Sequence, residues 1–196
     1  MNIPIVYEDQ WLLVVDKPSG LLTVPTPKKE TRTLTSILGI YPCHRLDRET
    51  SGLIIYAKDR PTQEKMAEEF RQKKVKKTYT AFLRGIPDRD EGRIDFPIEN
   101  QGAVTNYKII AKRKDFAIVE VRPLTGRTNQ IRIHFKQIGH PVLGERVFAF
   151  RKDFTIKAKR LCLHAQELEF THPVTHQPVH LKIDLPPDLQ LFLKEH

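Results

Sequence analysis

Apolar and polar positions alternate along this chain in two periods, and the changes between them mark its elements. Trp11-Leu12-Leu13-Val14-Val15 is a continuous apolar run, which predicts a buried strand, and Asp16-Lys17-Pro18-Ser19-Gly20 stops it with strong turn chemistry. Pro25 to Arg32 is rich in Pro, Lys and Thr and reads as an exposed loop. Leu34, Ile37 and Leu38 lie on one face of a short helix ending at Gly39, and Leu53 to Ala57 is a second buried strand. Asp59-Arg60-Pro61 has the capping carboxylate and early proline of a helix start; Met66 and Phe70 share a face of that helix. Its acidic residues Glu64, Glu68 and Glu69 precede Arg71, Lys73 and Lys74, so charge runs with the helix dipole.

From Thr78 the period becomes two, with Tyr79, Ala81 and Leu83 on one face and Thr78, Thr80 and Phe82 on the other. Pro87 to Gly92 reads as a charged turn, and Val104 to Ala111 and Phe116 to Arg122 as a pair of strands. Ile131, Phe135 and Ile138 are spaced for a helix closed by Gly139 and Pro141. At about 100° per residue, Asn129, Arg132 and Lys136 fall opposite that stripe, so Arg132 is expected to point away from the core. Leu161 to Phe170, an alternating strand from Val179 to Leu185, and a short helix from Asp188 to Lys194 complete the chain. The pattern predicts one α+β domain over residues 1–196, a mostly antiparallel mixed sheet with flanking helices and loops, without internal repeats.

Composition narrows the function classes. At 196 residues the chain can bury a substantial core, and 39% hydrophobic with 29% charged residues is ordinary for a globular protein. No apolar run reaches the length of a membrane span, and the first residues lack a secretory signal, so a cytoplasmic location is expected. Cys43 and Cys162 are the only cysteines, far apart and expected to be reduced. A net charge of +9 and a pI near 9.6 call for an anionic partner, nucleic acid first. The lysines at 73, 74, 76 and 77 run directly into Tyr79, and Lys112, Arg113 and Lys114 form a second basic group. A solvated face and a nucleic-acid surface both fit such runs.

Gly-x-Gly-x-x-Gly, the P-loop and the Gly-x-Ser-x-Gly turn are all missing, which argues against nucleotide-driven, redox and serine-hydrolase chemistry. Cys162, His164, His172, His176 and His180 offer zinc-type ligands, but their spacing matches no finger pattern and a proline-flanked turn accounts for them; no metal is expected. What remains is Cys43-His44-Arg45-Leu46-Asp47-Arg48-Glu49-Thr50-Ser51-Gly52. Here one carboxylate, Asp47, sits among His44, Arg45 and Arg48, and basic neighbours keep a carboxylate ionised. An ion-paired turn and a catalytic carboxylate are both compatible with these residues alone.

The motifs resemble those of the RluA-type RNA pseudouridine synthases over essentially the whole chain. That family has His-Arg-Leu-Asp, two variable residues and Thr-Ser-Gly, as at His44 to Gly52. Lys-Pro-Ser-Gly-Leu stands at Lys17 to Leu21, Lys-x-Tyr-x-Ala at Lys77 to Ala81, and Gly-His-Pro at Gly139 to Pro141. Leu-His-Ala stands at Leu163 to Ala165, with a later His-Pro at His172-Pro173. The Thr-Gly-Arg-Thr-His-Gln-Ile-Arg motif appears as Thr125 to Arg132 with Asn129 in place of histidine, and Glu145 stands where aspartate often follows the glycine. Many members carry an N-terminal S4-like RNA-binding domain; a stand-alone catalytic domain is expected here, selecting its substrate through its own loops.

The resemblance implies isomerisation of a chosen uridine in structured RNA, ribosomal or transfer, to pseudouridine, without cofactor, metal or obligatory protein partner. It makes Asp47 the catalytic aspartate, Tyr79 the tyrosine that packs on the target base, and Arg132 the arginine that pairs with the aspartate. His44, Arg45, Lys77 and Arg127 are candidate substrate-binding residues. Three routes are open to the aspartate: attack on ribose C1′, addition to uracil C6, or assistance to a glycal intermediate. An RNA-binding or RNA-folding protein on the same scaffold, with lost or incidental catalysis, is the competing reading.

Overall fold

A computed structural model describes residues 3–26, 30–148 and 156–196. Part of the loop expected over Pro25 to Arg32 lies outside the described residues. The chain divides into two compact units, Met1–Lys77 with Ala165–Ile183, and Thr78–His164 with Asp184–His196. Ten strands and four helices are formed among the described residues.

The first unit is a sheet with one helix against it. Strand β1 (Ile5–Glu8) pairs antiparallel with β2 (Leu12–Lys17), and β2 pairs antiparallel with β4 (Ser51–Ala57). The short β3 (Tyr41–Pro42) also joins β4. Beyond β4 lies β9 (Leu163–Thr171), which pairs antiparallel with β10 (Pro178–Lys182). Every residue of β4 is buried, as expected for a strand written as an unbroken apolar run. Helix α1 (Leu34–Leu38) starts at a Thr33 capping box and stops at Gly39. Helix α2 (Arg60–Arg71) starts at Asp59, whose carboxylate accepts the Thr62 N–H at 2.7 Å. It buries Met66 in a core of Leu12, Val14, Leu53, Ile55 and Leu168, a burial worth about 2–3 kcal/mol for that one side chain.

The second unit carries β5 (Lys76–Arg84) from Thr78 onward, β8 (Phe116–Pro123), β7 (Thr105–Lys112) and β6 (Glu91–Ile94), paired antiparallel in that order. Phe82, Phe116 and Phe192 meet in its core with ring centroids 5.7–6.2 Å apart; Phe192 comes from the terminal helix α4 (Pro187–Glu195). Helix α3 (Gln130–Gln137) lays Phe135 against Tyr107 at 5.6 Å.

Three departures from the sequence pattern are informative. The segment expected to be a charged turn at Pro87 to Gly92 enters an edge strand, β6, whose charged positions face solvent and whose apolar Ile94 is buried. In β5, Thr78 and Thr80 are as buried as Tyr79 and Ala81, so its period-two pattern does not mark one wet face. Arg132, expected to point outward, is only 4% exposed, because a buried carboxylate receives it.

Candidate active site

Asp47 stands in the first unit, on the loop that leads into β4, and the backbone on both sides of it is tied down by the segment after β2. The Lys17 ammonium is fully buried and donates to the carbonyls of Pro18 at 2.9 Å, Leu21 at 2.7 Å and Arg48 at 3.1 Å. Ser19 Oγ donates to the Glu49 carbonyl at 2.6 Å, and Gly20 N–H to that of Arg48 at 2.8 Å. Thr23 Oγ1 donates to the Leu46 carbonyl at 2.9 Å and accepts the Leu46 N–H at 3.2 Å. The Lys-Pro-Ser-Gly-Leu motif is therefore a brace: its polar groups bond the backbone at positions 48 and 49, and Thr23 holds Leu46, next to Asp47.

The end of the same loop needs a glycine. Gly52 has φ +117°, and a Cβ built there would lie 2.2 Å from the Ala165 carbonyl oxygen of β9. Only hydrogen fits between these strands.

The basic neighbours of Asp47 in sequence do not all act as cations around it. His44 accepts the Ile55 N–H on Nε2 at 3.0 Å and lies 4.8 Å from the Phe70 ring. Burial, then the charge of Lys77, pushes its pKa down to about 3, so it is neutral. The Arg48 guanidinium is ion-paired with Glu30. Arg45 is exposed. Lys77 is partly buried, and burial holds its pKa below the ordinary lysine value. The expected cluster of charge is thus reduced by one neutral ring and one arginine with its own carboxylate.

In the second unit Tyr79 is 8% exposed and sits opposite Val121. Arg132, on the first turn of α3, is bound bidentately by Glu145: Nε to Oε2 at 2.6 Å and Nη2 to Oε1 at 2.8 Å. Its Nη1 donates to Asn129 Oδ1 at 2.6 Å. Glu145 is 1% exposed. Burial alone would raise its pKa, but hydrogen bonds from Arg132, Val147 and Phe148 outweigh that and hold the carboxyl below its usual range.

The rest of the Thr125 to Arg132 motif is spent on structure. Thr125 Oγ1 donates to Gln130 Oε1 at 2.6 Å, which also takes the Arg127 N–H at 3.0 Å. Gln130 Nε2 donates to Val104 O and Thr105 Oγ1, each at 3.0 Å. His134 Nε2 faces the Phe96 carbonyl at 3.0 Å and must be the donor there, so Nδ1 accepts from Thr105 at 2.9 Å. This chain of buried polar groups fixes the loop ahead of α3. Arg127 itself is exposed and donates from Nε to Gly102 O at 3.1 Å.

Of the basic runs, Lys76 pairs with Glu169 at 3.0 Å and Lys112 with Asp90 at 2.6 Å, all at exposed side chains. Exposed pairs are worth about 0–1 kcal/mol, so a phosphate can replace either carboxylate at little cost. His172, one of the histidines weighed for zinc, accepts the Val174 and Thr175 N–H groups on Nδ1 and points Nε2 at Asp9, 2.9 Å away. Glu167, Glu169 and His180 cluster across β9 and β10, where Glu167 and Glu169 are held by His180 and Lys76.

Sequence reasoning missed three residues: Thr23, which lies outside every motif, and Asn129 and Glu145, which register in sequence only as departures. A buried threonine and a buried glutamate leave no periodic signal.

Comparison with known proteins places these observations. The sequence profile described as RNA pseudouridylate synthase matches residues 11–137. The Yersinia pestis protein named dual-specificity RNA pseudouridine synthase RluA is 35% identical over 202 residues, covering 92% of this chain and 98% of that one. The ribosomal large subunit pseudouridine synthase D of Zymomonas mobilis is 31% identical, covering 98% of this chain and 72% of that one. Among solved structures, human RNA pseudouridylate synthase domain containing 4 superposes with a TM-score of 0.85 at 24% identity, covering 97% of this chain and 92% of that one. Among the described residues no helix is long and apolar enough to cross a membrane.

Proposed function

The chain belongs to the RNA pseudouridylate synthase family, and from that premise we propose that it isomerises a chosen uridine in structured ribosomal or transfer RNA to pseudouridine, with Asp47, Tyr79 and Arg132 as its catalytic residues. The reaction breaks the N1–C1′ bond, forms a C5–C1′ bond, takes a proton from C5 and leaves one on N1. Atoms and electrons balance within the substrate, so neither a redox cofactor nor a second substrate is required. We place the reaction in the cytoplasm.

A stacked base cannot be turned over in place, so the nucleotide must leave its helix, at a cost of a few kcal/mol. Tyr79 provides an aromatic face for the flipped base, and Lys76, Lys77, Lys112 and Arg127 provide cations that offset the cost through phosphate contacts. The single observation that carries the assignment of Asp47 is the brace around it. Side chains of Lys17, Ser19 and Thr23 are spent on the backbone of this one loop, which is what presenting a carboxylate at a fixed position requires. Ribosomal RNA is proposed because the Zymomonas relative is named for the ribosomal large subunit, and transfer RNA because the family resemblance implies ribosomal or transfer RNA.

The deciding experiment maps pseudouridine across total RNA from cells with the protein, without it, and with Asp47→Asn. The expected result is one or more sites lost in the deletion and not restored by Asp47→Asn. Full restoration by Asp47→Asn would remove Asp47 from the mechanism. No change at any site would favour RNA binding without catalysis.

A further inference from the structure

We propose that Asn129 and Glu145 are positioning residues for Arg132, holding its guanidinium in a single rotamer from two sides. This rests on the reading of Arg132 as a catalytic residue. Arginine has five N–H donors in a rigid plane. Glu145 takes the Nε and Nη2 donors at 2.6 and 2.8 Å, and Asn129 takes one on Nη1 at 2.6 Å. The Phe148 ring covers the guanidinium, 5.1 Å from Cζ. Any further anionic partner of Arg132 has to approach its outer Nη hydrogens, since the Nε edge belongs to Glu145.

Each partner is itself fixed, in ways that favour the arginine over ordinary structural bonds. Asn129 is the cap residue of α3, and a capping asparagine normally gives its side-chain oxygen to a backbone N–H of the first turn. Here it makes no such bond and turns to Arg132 instead, from a left-handed backbone at φ 54°. Glu145 receives the Val147 and Phe148 N–H groups on Oε1, at 2.7 and 3.2 Å. Its own N–H bonds to Val142 O at 3.1 Å. The preceding Gly144, at φ +78°, lies so close to Arg160 that a Cβ would fall 1.9 Å from its carbonyl oxygen. The carboxylate is therefore held at Oε1 by two backbone N–H groups, and the residue's own backbone by Val142. Stability alone does not account for this, since a buried ion pair is commonly no better than an apolar pair of the same volume. Both residues are also the two departures from the family motifs, and they meet on one side chain.

The test uses the full chain, a uridine-containing RNA carrying a mapped site, single-turnover kinetics, and the ¹⁵N–¹H resonance of Arg132 Nε. Asn129→Gly removes the amide and accepts the left-handed backbone; Asn129→Asp keeps an acceptor. The expected result is a turnover rate about tenfold lower for Asn129→Gly and about 100-fold lower for Glu145→Gln, with RNA affinity within about twofold of wild type and Asn129→Asp and Glu145→Asp recovering part of the rate. The Nε–H signal is expected to be protected from exchange in the wild type and to lose protection in Glu145→Gln. If Glu145→Gln does not fold, Asn129→Gly against Asn129→Asp decides. Wild-type rates in Asn129→Gly and Glu145→Gln beside a slow Arg132→Lys would overturn the positioning role and leave Arg132 catalytic. A wild-type rate in Arg132→Lys would overturn both.

Discussion

Replacing Thr23 by valine isolates the brace on the Asp47 loop. The two side chains have nearly the same shape, so the change opens no cavity. Thr23 is 2% exposed and its hydroxyl both donates to and accepts from the backbone of Leu46. Valine leaves the Leu46 N–H and carbonyl without that partner, at about 1–3 kcal/mol for each buried group. The added methyl returns about 0.8 kcal/mol. The expected net loss is about 3 kcal/mol. Thr23→Ser is the control: it keeps both hydrogen bonds and gives up one methyl, for about 1 kcal/mol.

Urea unfolding followed by tryptophan fluorescence reads this directly, because Trp11 is the only tryptophan and lies in the same unit, edge-on to His172 at 5.7 Å. Single-turnover isomerisation in the absence of urea gives the second readout. A loop displaced by about 1 Å costs on the order of 100-fold in rate, so Thr23→Val is expected to be slow even where fully folded, and Thr23→Ser close to wild type. A valine variant no less stable and no slower than the serine variant would refute the brace.

Two more outcomes follow from the same packing. His164 is fully buried, and burial, then the charge of Arg160, pushes its pKa down to about 4. The unfolded ring titrates near 6.5, so the neutral ring contributes its full stability above that value and loses it as pH falls from 6.5 toward 4. From pH 6.5 to 5 the loss reaches about 2 kcal/mol. The carboxyls of Asp9, Glu145 and Asp188 are all held below their usual range and act only at lower pH. The urea midpoint is therefore expected to fall between pH 7 and 5, less steeply in His164→Gln; a flat profile in the wild type would contradict it. Gly52→Ala combines a strained backbone with overlap at Ala165, about 3–5 kcal/mol in all, and is expected to lower the melting temperature sharply; a wild-type melting curve would show that β4 and β9 can part.

The elements legible in the sequence are those whose apolar pattern matches one environment. β2 and β4 are continuous apolar runs because both of their faces are covered, and α2 announces itself through Asp59, Pro61 and the Met66–Phe70 stripe. β1 and β6 carry no such pattern. Each has exposed positions at its ends or along its charged face, so hydrogen bonding to a neighbour distant in sequence, rather than a hydrophobic period, makes them strands. Arg132 is the instructive error in the site. Helical geometry put it opposite the apolar stripe, where solvent is the default environment. The turn at Gly144 brings a carboxylate to that face from outside the helix, and no local pattern around residue 132 encodes it.

The same distinction separates the parts of each motif. In His44 to Gly52, His44 is committed to Ile55 and Gly52 to the approach of Ala165, whereas the family resemblance assigns the chemistry to Asp47. In Thr125 to Arg132, Thr125 and Gln130 bond one another and the β7 start, and Arg132 is presented by partners of its own. A polar residue whose hydrogen bonds close on its own backbone is holding a position, and substituting it is expected to cost stability and rate together. A polar residue held by others is the one being positioned, and its substitution is expected to cost rate; for Arg132 it also strands the buried Glu145 carboxylate, so melting is expected to fall as well. For Asn129 and Glu145 the two classes meet, since their own bonds close on Arg132. That is why Asn129→Gly, which leaves the backbone undisturbed, separates placement of the arginine from support of the helix.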